Sequence, residues 1–336
     1  MLLAMKSEAR PFAAVFGVSR SGTSWLGAML DAHPEVAYRF EPIDNIPDQE
    51  QARPIIRRLQ SGDQDPMLVE ELARLLRPAH PRLDRPPFVP KHGHTQRGRT
   101  FLNRAGRLLP RIIAPVYRNL YRPPAAAHLI FKEVSKEHIT ATLARSGRVP
   151  IVYIVRHPGA YVASMMVGVE KGVMPETRAQ VAMDLAADHA PELHNAYSNR
   201  SDQLTMEERL TIAWVADTNL VLETTLACES VHHVVYEQLC LETMPCMERV
   251  YTHVGLEMVD QAREFISASS GNADRNELGV DSYFSVYRDS KKSMHKWRQI
   301  LRQEQVDKIR AVCAYSRACE AFGSHWRWDV EDTADE

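Results

Sequence analysis

Short apolar runs recur along this chain, and most are followed by a stretch with helical spacing. Phe12 to Val18 is an apolar run marked off by Pro11 and Gly17, the pattern of a buried strand. Beyond Ser19–Ser24, the pairs Trp25/Met29 and Leu26/Leu30 predict a helix, which His33-Pro34 stops. Val36–Glu41 alternates Val, Tyr and Phe with Ala, Arg and Glu and reads as a second strand. His128–Lys132, Ile151–Val155 and Val231–Tyr236 read as further strands, and Gly159–Val167, Met206–Ala227 and Gln303–Ala321 as helices. Strand alternating with helix predicts an α/β fold, a doubly wound parallel sheet flanked by helices.

The interval 45–127 breaks this rhythm. It holds 12 of the 20 prolines and shows no strong period, although Leu68–Leu76 has the spacing of a short helix. Residues 8–328 are expected to form one domain, with 45–127 as a Pro/Arg-rich insertion over the mouth of the sheet, an acceptor-binding lid. The acid-rich end, 329–336, reads as a solvated tail.

Composition narrows the class. With 44% hydrophobic and 25% charged residues over 336 positions, collagen, coiled coil, disordered tail and disulfide-rich toxin are excluded. The formal charge of −2 hides an asymmetry: 82–122 carries ten Lys/Arg against one acid, Asp84. The five cysteines, Cys228, Cys240, Cys246, Cys313 and Cys319, form no C-x-x-C pair, which indicates neither a zinc site nor a redox motif. Inert thiols, the short apolar start and the lack of a membrane-length apolar run together predict a reduced, cytoplasmic protein.

The strand running into Gly17-x-x-x-x-Gly22-Thr23-Ser24 and then a helix has the layout of a phosphate-binding loop, which makes the expected sheet P-loop-like. A nucleoside-triphosphatase loop has Lys after the second glycine, but here Thr23 stands there and the loop cation is Arg20. The strand Ile151–Val155 ends in Arg156 rather than a metal-binding Asp. Arg156-His157-Pro158 opens the next helix, with Ser164 eight residues past Arg156, a guanidinium and a hydroxyl able to grip one phosphate. Two anion sites at the carboxyl ends of strands, with no metal ligands, imply a nucleotide phosphorylated at both ends of its ribose. The alternative for Arg156 is a pair with a nearby carboxylate, and for Ser164 a local cap.

Gly17–Trp25 (Gly-Val-Ser-Arg-Ser-Gly-Thr-Ser-Trp), Leu30–Val36, Tyr38–Pro42 and Ile154–Pro158 together resemble the sulfotransferase family. The spacing is closest to its carbohydrate and tyrosylprotein branches, and Val234–Leu239 is a weaker match. The resemblance implies 3′-phosphoadenosine 5′-phosphosulfate (PAPS) as donor, 3′,5′-phosphoadenosine (PAP) as product, and no metal. It places Arg20, Ser21, Gly22, Thr23 and Ser24, with Trp25 beside them, at the 5′-phosphosulfate, and Arg156 and Ser164 at the 3′-phosphate. Glu41 aligns with the catalytic glutamate, and Lys132 with a cation that stabilises the leaving group, a task Arg20 shares. Ser290–Arg298 resembles the late segment that closes over the nucleotide, where Ser293, Lys296, Trp297 or Arg298 meets the donor.

Each role has a structural rival. Glu41 has the alternative of a salt bridge to Arg39 or to the basic insertion, Lys132 that of a pair with Glu133 or Glu137. Trp297 has the alternative of a core position. His33 and His157, each beside a proline at a helix boundary, suit capping or packing better than base catalysis. The expected activity is sulfuryl transfer to a hydroxyl of a glycan, glycolipid or natural product; a Mg-ATP kinase and a non-catalytic nucleotide-binding scaffold are the alternatives. No nucleic-acid motif accompanies the arginines of 82–122, so an acceptor lid or peripheral contact with anionic membrane or polymer is expected there.

Overall fold

The computed structural model describes residues 12–86, 88–92, 94–270 and 290–328, so the expected domain start at residue 8 and the acidic tail lie outside the described residues. Five parallel strands form one sheet in the order β2-β3-β1-β4-β5. They are β1 (Phe12–Phe16), β2 (Val36–Phe40), β3 (His128–Lys132), β4 (Ile151–Val155) and β5 (Val231–Val235). The first two are shorter than the sequence pattern suggests. β2 ends directly before a left-handed residue, Glu41, while the loop that follows β1 turns left-handed further on, at Arg20 and Gly22.

The two-residue period of the strands explains why both faces are covered. Phe12, Ala14 and Phe16 of β1 join one core with Leu129, Phe131, Ile151 and Tyr153; Ala13 and Val15 join the other with Ile130, Val152 and Ile154. Burying each large apolar side chain is worth about 1.5–3 kcal/mol, so a one-residue slip in register would be prohibitive. The second face is closed by α1 (Thr23–Asp31) and by the helices Thr243–His253 and Asp260–Ser270. On the first face lie the helices Ala179–His189, Met206–Thr225 and Gln303–Cys313. The expected single helix Gln303–Ala321 is two, because Ser316 caps a new start at Arg317 with its side chain on the Cys319 N–H.

The Pro/Arg-rich interval contains four helices: α2 (Gln49–Gln60), α3 (Met67–Leu76), α4 (Gln96–Leu108) and α5 (Pro110–Leu120). Only α3 is legible in the sequence; Pro54 inside α2 and Pro115 inside α5 obscure the others. Helices α2 and α3 bury Ala52, Ile55, Leu59, Leu68, Leu72 and Leu76 in the first core, which departs from the expectation that the whole interval lies over the mouth. Helix α2 packs there against α6 (Glu137–Ser146) and against α3, while α7 (Pro158–Glu170) follows β4.

Helices α4 and α5 attach differently. Asp84, the single acid of the basic segment, is buried and binds Arg39 of β2 at 3.0 Å, Arg99 at 3.2 Å and the Tyr117 hydroxyl at 3.1 Å. Arg39, fully buried, also donates to the carbonyls of Leu76 and Arg77. A buried guanidinium is tolerated only when paired and hydrogen-bonded on all sides, and this one is. No helix among the described residues is long and apolar enough to cross a membrane.

Candidate active site

Parallel register brings the chemistry-bearing residues to one end of the sheet. Lys132 stands beside Val15 of β1 and Phe40 of β2, so the loop after β1, the end of β3 and the end of β2 emerge side by side. Arg156 emerges one strand further on, from β4, the other neighbour of β1.

The loop from Gly17 to Gly22 is shaped by what its glycines exclude. A Cβ on Gly17 would lie 2.7 Å from the Ile154 carbonyl, and one on Gly22 only 2.5 Å from the Tyr236 ring. Gly22 also has φ 104°, and Arg20, φ 68°, adopts a left-handed conformation without glycine's freedom. No side chain caps the start of α1, so its first amides remain available to a ligand.

Arg20 and Arg156 converge. Arg20 Nε donates to Ser164 Oγ of α7 at 3.0 Å, and Arg156 Nη1 donates to the Arg20 carbonyl at 2.9 Å. Arg156 Nη2 reaches the Ser293 carbonyl at 3.5 Å, and its guanidinium lies 4.5 Å from the centre of the Tyr236 ring. Two donor atoms in this group, Ser21 Oγ and Arg156 Nε, are buried with no hydrogen-bond partner among the described residues. Buried donors without partners are rare enough to require a reason, and a bound anion is one. Thr23 is buried and Ser24 half-buried in the first turn of α1.

Glu41 stands at the other side of the loop. Its backbone is left-handed, φ 47°, and its N–H bonds the Lys132 carbonyl at 2.7 Å. Its carboxylate takes Lys132 Nζ on Oε1 at 2.5 Å and Arg85 Nη1 on Oε2 at 3.5 Å. Lys132 thus pairs with Glu41 rather than with Glu133 or Glu137, and Arg39, bound to Asp84, is not the partner of Glu41. The insertion does reach Glu41, through Arg85. Loss of water pushes the Lys132 amine below its ordinary pKa, with the Glu41 carboxylate opposing the shift. Glu133, buried next in sequence, accepts the Ile43 N–H at 2.6 Å, and burial pushes its carboxyl up to about 8.

The histidines serve the frame. His33 Nδ1 accepts the Glu35 N–H at 3.1 Å, while its Nε2 meets the Glu257 carbonyl. His157 Nδ1 accepts the Gly159 N–H at 3.0 Å and so caps α7; burial holds its ring neutral, with a pKa of about 3. Its ring stacks on Trp297 at 4.6 Å and meets Trp328 at 4.4 Å. Trp297 is therefore a core residue that supports the Arg156 loop. Of the other candidates in the late basic segment, Ser293 is buried and its carbonyl meets Arg156, Lys296 is exposed, and Arg298 donates to the Arg327 carbonyl at 3.3 Å. Trp25 is nearly buried, edge-on to Tyr236, with its indole N–H on Ser269 Oγ at 3.4 Å.

The sequence model of the sulfotransferase family matches residues 11–260. The chain belongs to the sulfotransferase family. Among solved structures it is similar to the sulfotransferase domain of the Synechococcus PCC 7002 olefin synthase, at 15% identity, 93% of this chain, 98% of that one and a TM-score of 0.44. It is also similar to a mouse sulfotransferase complexed with PAP, at 15% identity, 94% of this chain, 88% of that one and a TM-score of 0.49. A sulfotransferase from Mycobacterium avium matches at 15% identity over 94% of this chain and 77% of that one, with a TM-score of 0.43. No curated protein sequence matches.

Three residues of this candidate site are not legible as such in the sequence. Tyr236 floors both Gly22 and Arg156. Glu237 clamps the Arg156 loop: Oε1 accepts the His157 N–H at 3.1 Å and Oε2 the Trp326 indole N–H at 2.9 Å. Their signal was the Tyr236-Glu237 pair directly after β5, in the weaker match Val234–Leu239, a match without a role. Arg85 had no signal beyond membership of the basic segment. Among the described residues no cluster of His, Cys, Asp and Glu is arranged to hold a metal ion.

Proposed function

We propose that this chain transfers a sulfuryl group from PAPS to an acceptor hydroxyl on a glycan, glycolipid or natural product. The observation that carries this reading is the convergence of Arg20, Arg156 and Ser164 at the mouth of the sheet, beside the Glu41–Lys132 pair. The two unpartnered buried donors, Ser21 Oγ and Arg156 Nε, fit a ligand with phosphate on both sides of its ribose.

Bound PAPS supplies an activated sulfuryl group; the protein supplies position and charge. Arg20, the loop hydroxyls and the open amides of α1 hold the 5′-phosphosulfate, and Arg156 with Ser164 holds the 3′-phosphate. As the acceptor oxygen bonds to sulfur, the bond from sulfur to the 5′-phosphate oxygen breaks and that oxygen keeps the electron pair. Lys132 stabilises the charge left there. The acceptor proton goes to the Glu41 carboxylate, and PAP departs. Of the two carboxylate oxygens, Oε2 is the less tightly held and is the one to receive the proton. Of the 45–127 interval, the part around Arg85 lines the acceptor side, since Arg85 touches the base.

Titration calorimetry with PAP beside ATP–Mg²⁺ tests the donor. Saturable binding of PAP with none of ATP–Mg²⁺ is expected. Binding of ATP–Mg²⁺ alone would return the site to the kinase reading, and PAP binding without transfer to a broad acceptor panel to the scaffold reading.

A further inference from the structure

We propose that the hairpin of α4 and α5 is a docking face for a bilayer surface rich in anionic lipid. Six of the twelve exposed large hydrophobic side chains among the described residues fall in this one hairpin: Phe101, Leu108, Leu109, Ile112, Val116 and Leu120. Phe101 is 71% and Leu108 81% exposed, values at which an apolar side chain gains nothing from the fold.

The spacing makes them a surface. The inner side of α4 is given by Asn103 and Gly106, and that of α5 by Ala114 and Tyr117. The outer side of α4 reads Arg97, Phe101, Arg104, Leu108, and that of α5 carries Ile112, Val116 and Leu120 at intervals of four, flanked by Arg111 and Arg118. Each outward stripe thus mixes apolar tips with guanidinium groups, and no acid occurs anywhere from 85 to 132.

That chemistry selects one occupant. A soluble polyanion would match the arginines but give no return for exposing Phe101 or Ile112. A second copy would bring one acid-free cationic face against another. An anionic bilayer satisfies both features: apolar tips enter the headgroup boundary, and arginines reach lipid phosphates over their own apolar stems. The hairpin is bolted to the catalytic side. Asn103 Nδ2 donates to the carbonyls of Pro81 and Asp84, Arg107 Nε to that of Pro81, and the next residue, Arg85, touches Glu41. That docking presents the crevice to lipid headgroups rests on the sulfotransferase reading; the docking itself does not.

The test is flotation of the full chain with vesicles of phosphatidylcholine alone or with about 30 mol% phosphatidylglycerol. Binding to the anionic vesicles only, weakening as salt rises, is expected. Arg104→Gln/Arg111→Gln/Arg118→Gln is expected to weaken it on the order of 100-fold, and Phe101→Ser/Ile112→Ser/Val116→Ser about tenfold or more. Circular dichroism checks that these surface variants fold; if they do not, the comparison of the two vesicles with the parent chain decides. Absence of binding to anionic vesicles overturns the proposal. So does binding indifferent to the apolar substitutions, which indicates a polyanion site, or a dimer in light scattering that the apolar substitutions dissolve. None of these readouts requires turnover, so they stand apart from the test of the donor.

Discussion

Glu41 and Lys132 are tied twice, once through the backbone, Glu41 N–H to Lys132 carbonyl at 2.7 Å, and once through side chains at 2.5 Å. A left-handed glutamate is unfavourable by about 1–2 kcal/mol, and this double tie is what holds it at the rim of the sheet. The first prediction follows from that position. Glu41→Gln keeps the shape and removes the proposed proton acceptor. Turnover with PAPS is expected to fall by roughly 10²–10⁴-fold with PAP affinity kept within a few-fold. Normal turnover in this variant would reassign the base.

Arg156 holds the Arg20 carbonyl and lies over Tyr236, and its Nε has no hydrogen-bond partner among the described residues. Arg156→Ala is expected to weaken PAP binding by about 10–100-fold while adenosine 5′-phosphate, which lacks the 3′-phosphate, loses only a few-fold. Calorimetry on both ligands separates the two. Equal losses would place Arg156 at the 5′ end instead.

Gly22→Ala meets the Tyr236 ring at 2.5 Å and a φ of 104° together. A loss of about 1–3 kcal/mol of stability is expected in denaturant unfolding, along with loss of PAP binding. Combining it with Tyr236→Leu, which opens the floor, should recover part of the stability. No recovery would show that the ring contact is irrelevant.

Glu133 provides a pH signature. Its carboxyl has a folded pKa of about 8 against an ordinary 4.5, so the folded chain keeps a proton that the unfolded chain releases. Its contribution is fully present below pH 4.5 and is lost as pH rises toward 8. Glu133→Gln keeps an acceptor for the Ile43 N–H and cannot ionise. Between those pH values its stability should rise relative to the parent by up to about 1.4 kcal/mol per pH unit. Melting curves across the range check this; a difference that does not vary with pH refutes it.

What the sequence disclosed and what it hid have a common physical origin. Strands buried on both faces must be continuous apolar runs, so β1 to β5 announce themselves, and glycines before a helix announce the loop. Arg20 and Arg156 meet because they follow neighbouring strands; the alternation implied that both lie at the carboxyl ends of strands, but not that β1 and β4 are neighbours. Apart from α3, the helices of the insertion were hidden, because Pro110 stands at an N1 position, where proline is welcome, and Pro54 and Pro115 are tolerated inside amphipathic helices. The Asp84 hub and the Arg85–Glu41 contact depend on how distant segments approach, and no local period records that. Only the solitude of Asp84 among so many arginines hinted at its place.

One carboxylate, Asp84, fastens the hairpin to the edge strand, and its immediate neighbour in the chain supplies the guanidinium that leans on Glu41, the proposed base. Anyone grafting a different hairpin onto this scaffold to change its acceptor would therefore inherit an altered electrostatic setting at Glu41 unless the Pro81–Arg85 strap is transplanted with it. In the proposed reaction, selectivity and turnover, usually engineered apart, would be wired through adjoining peptide units.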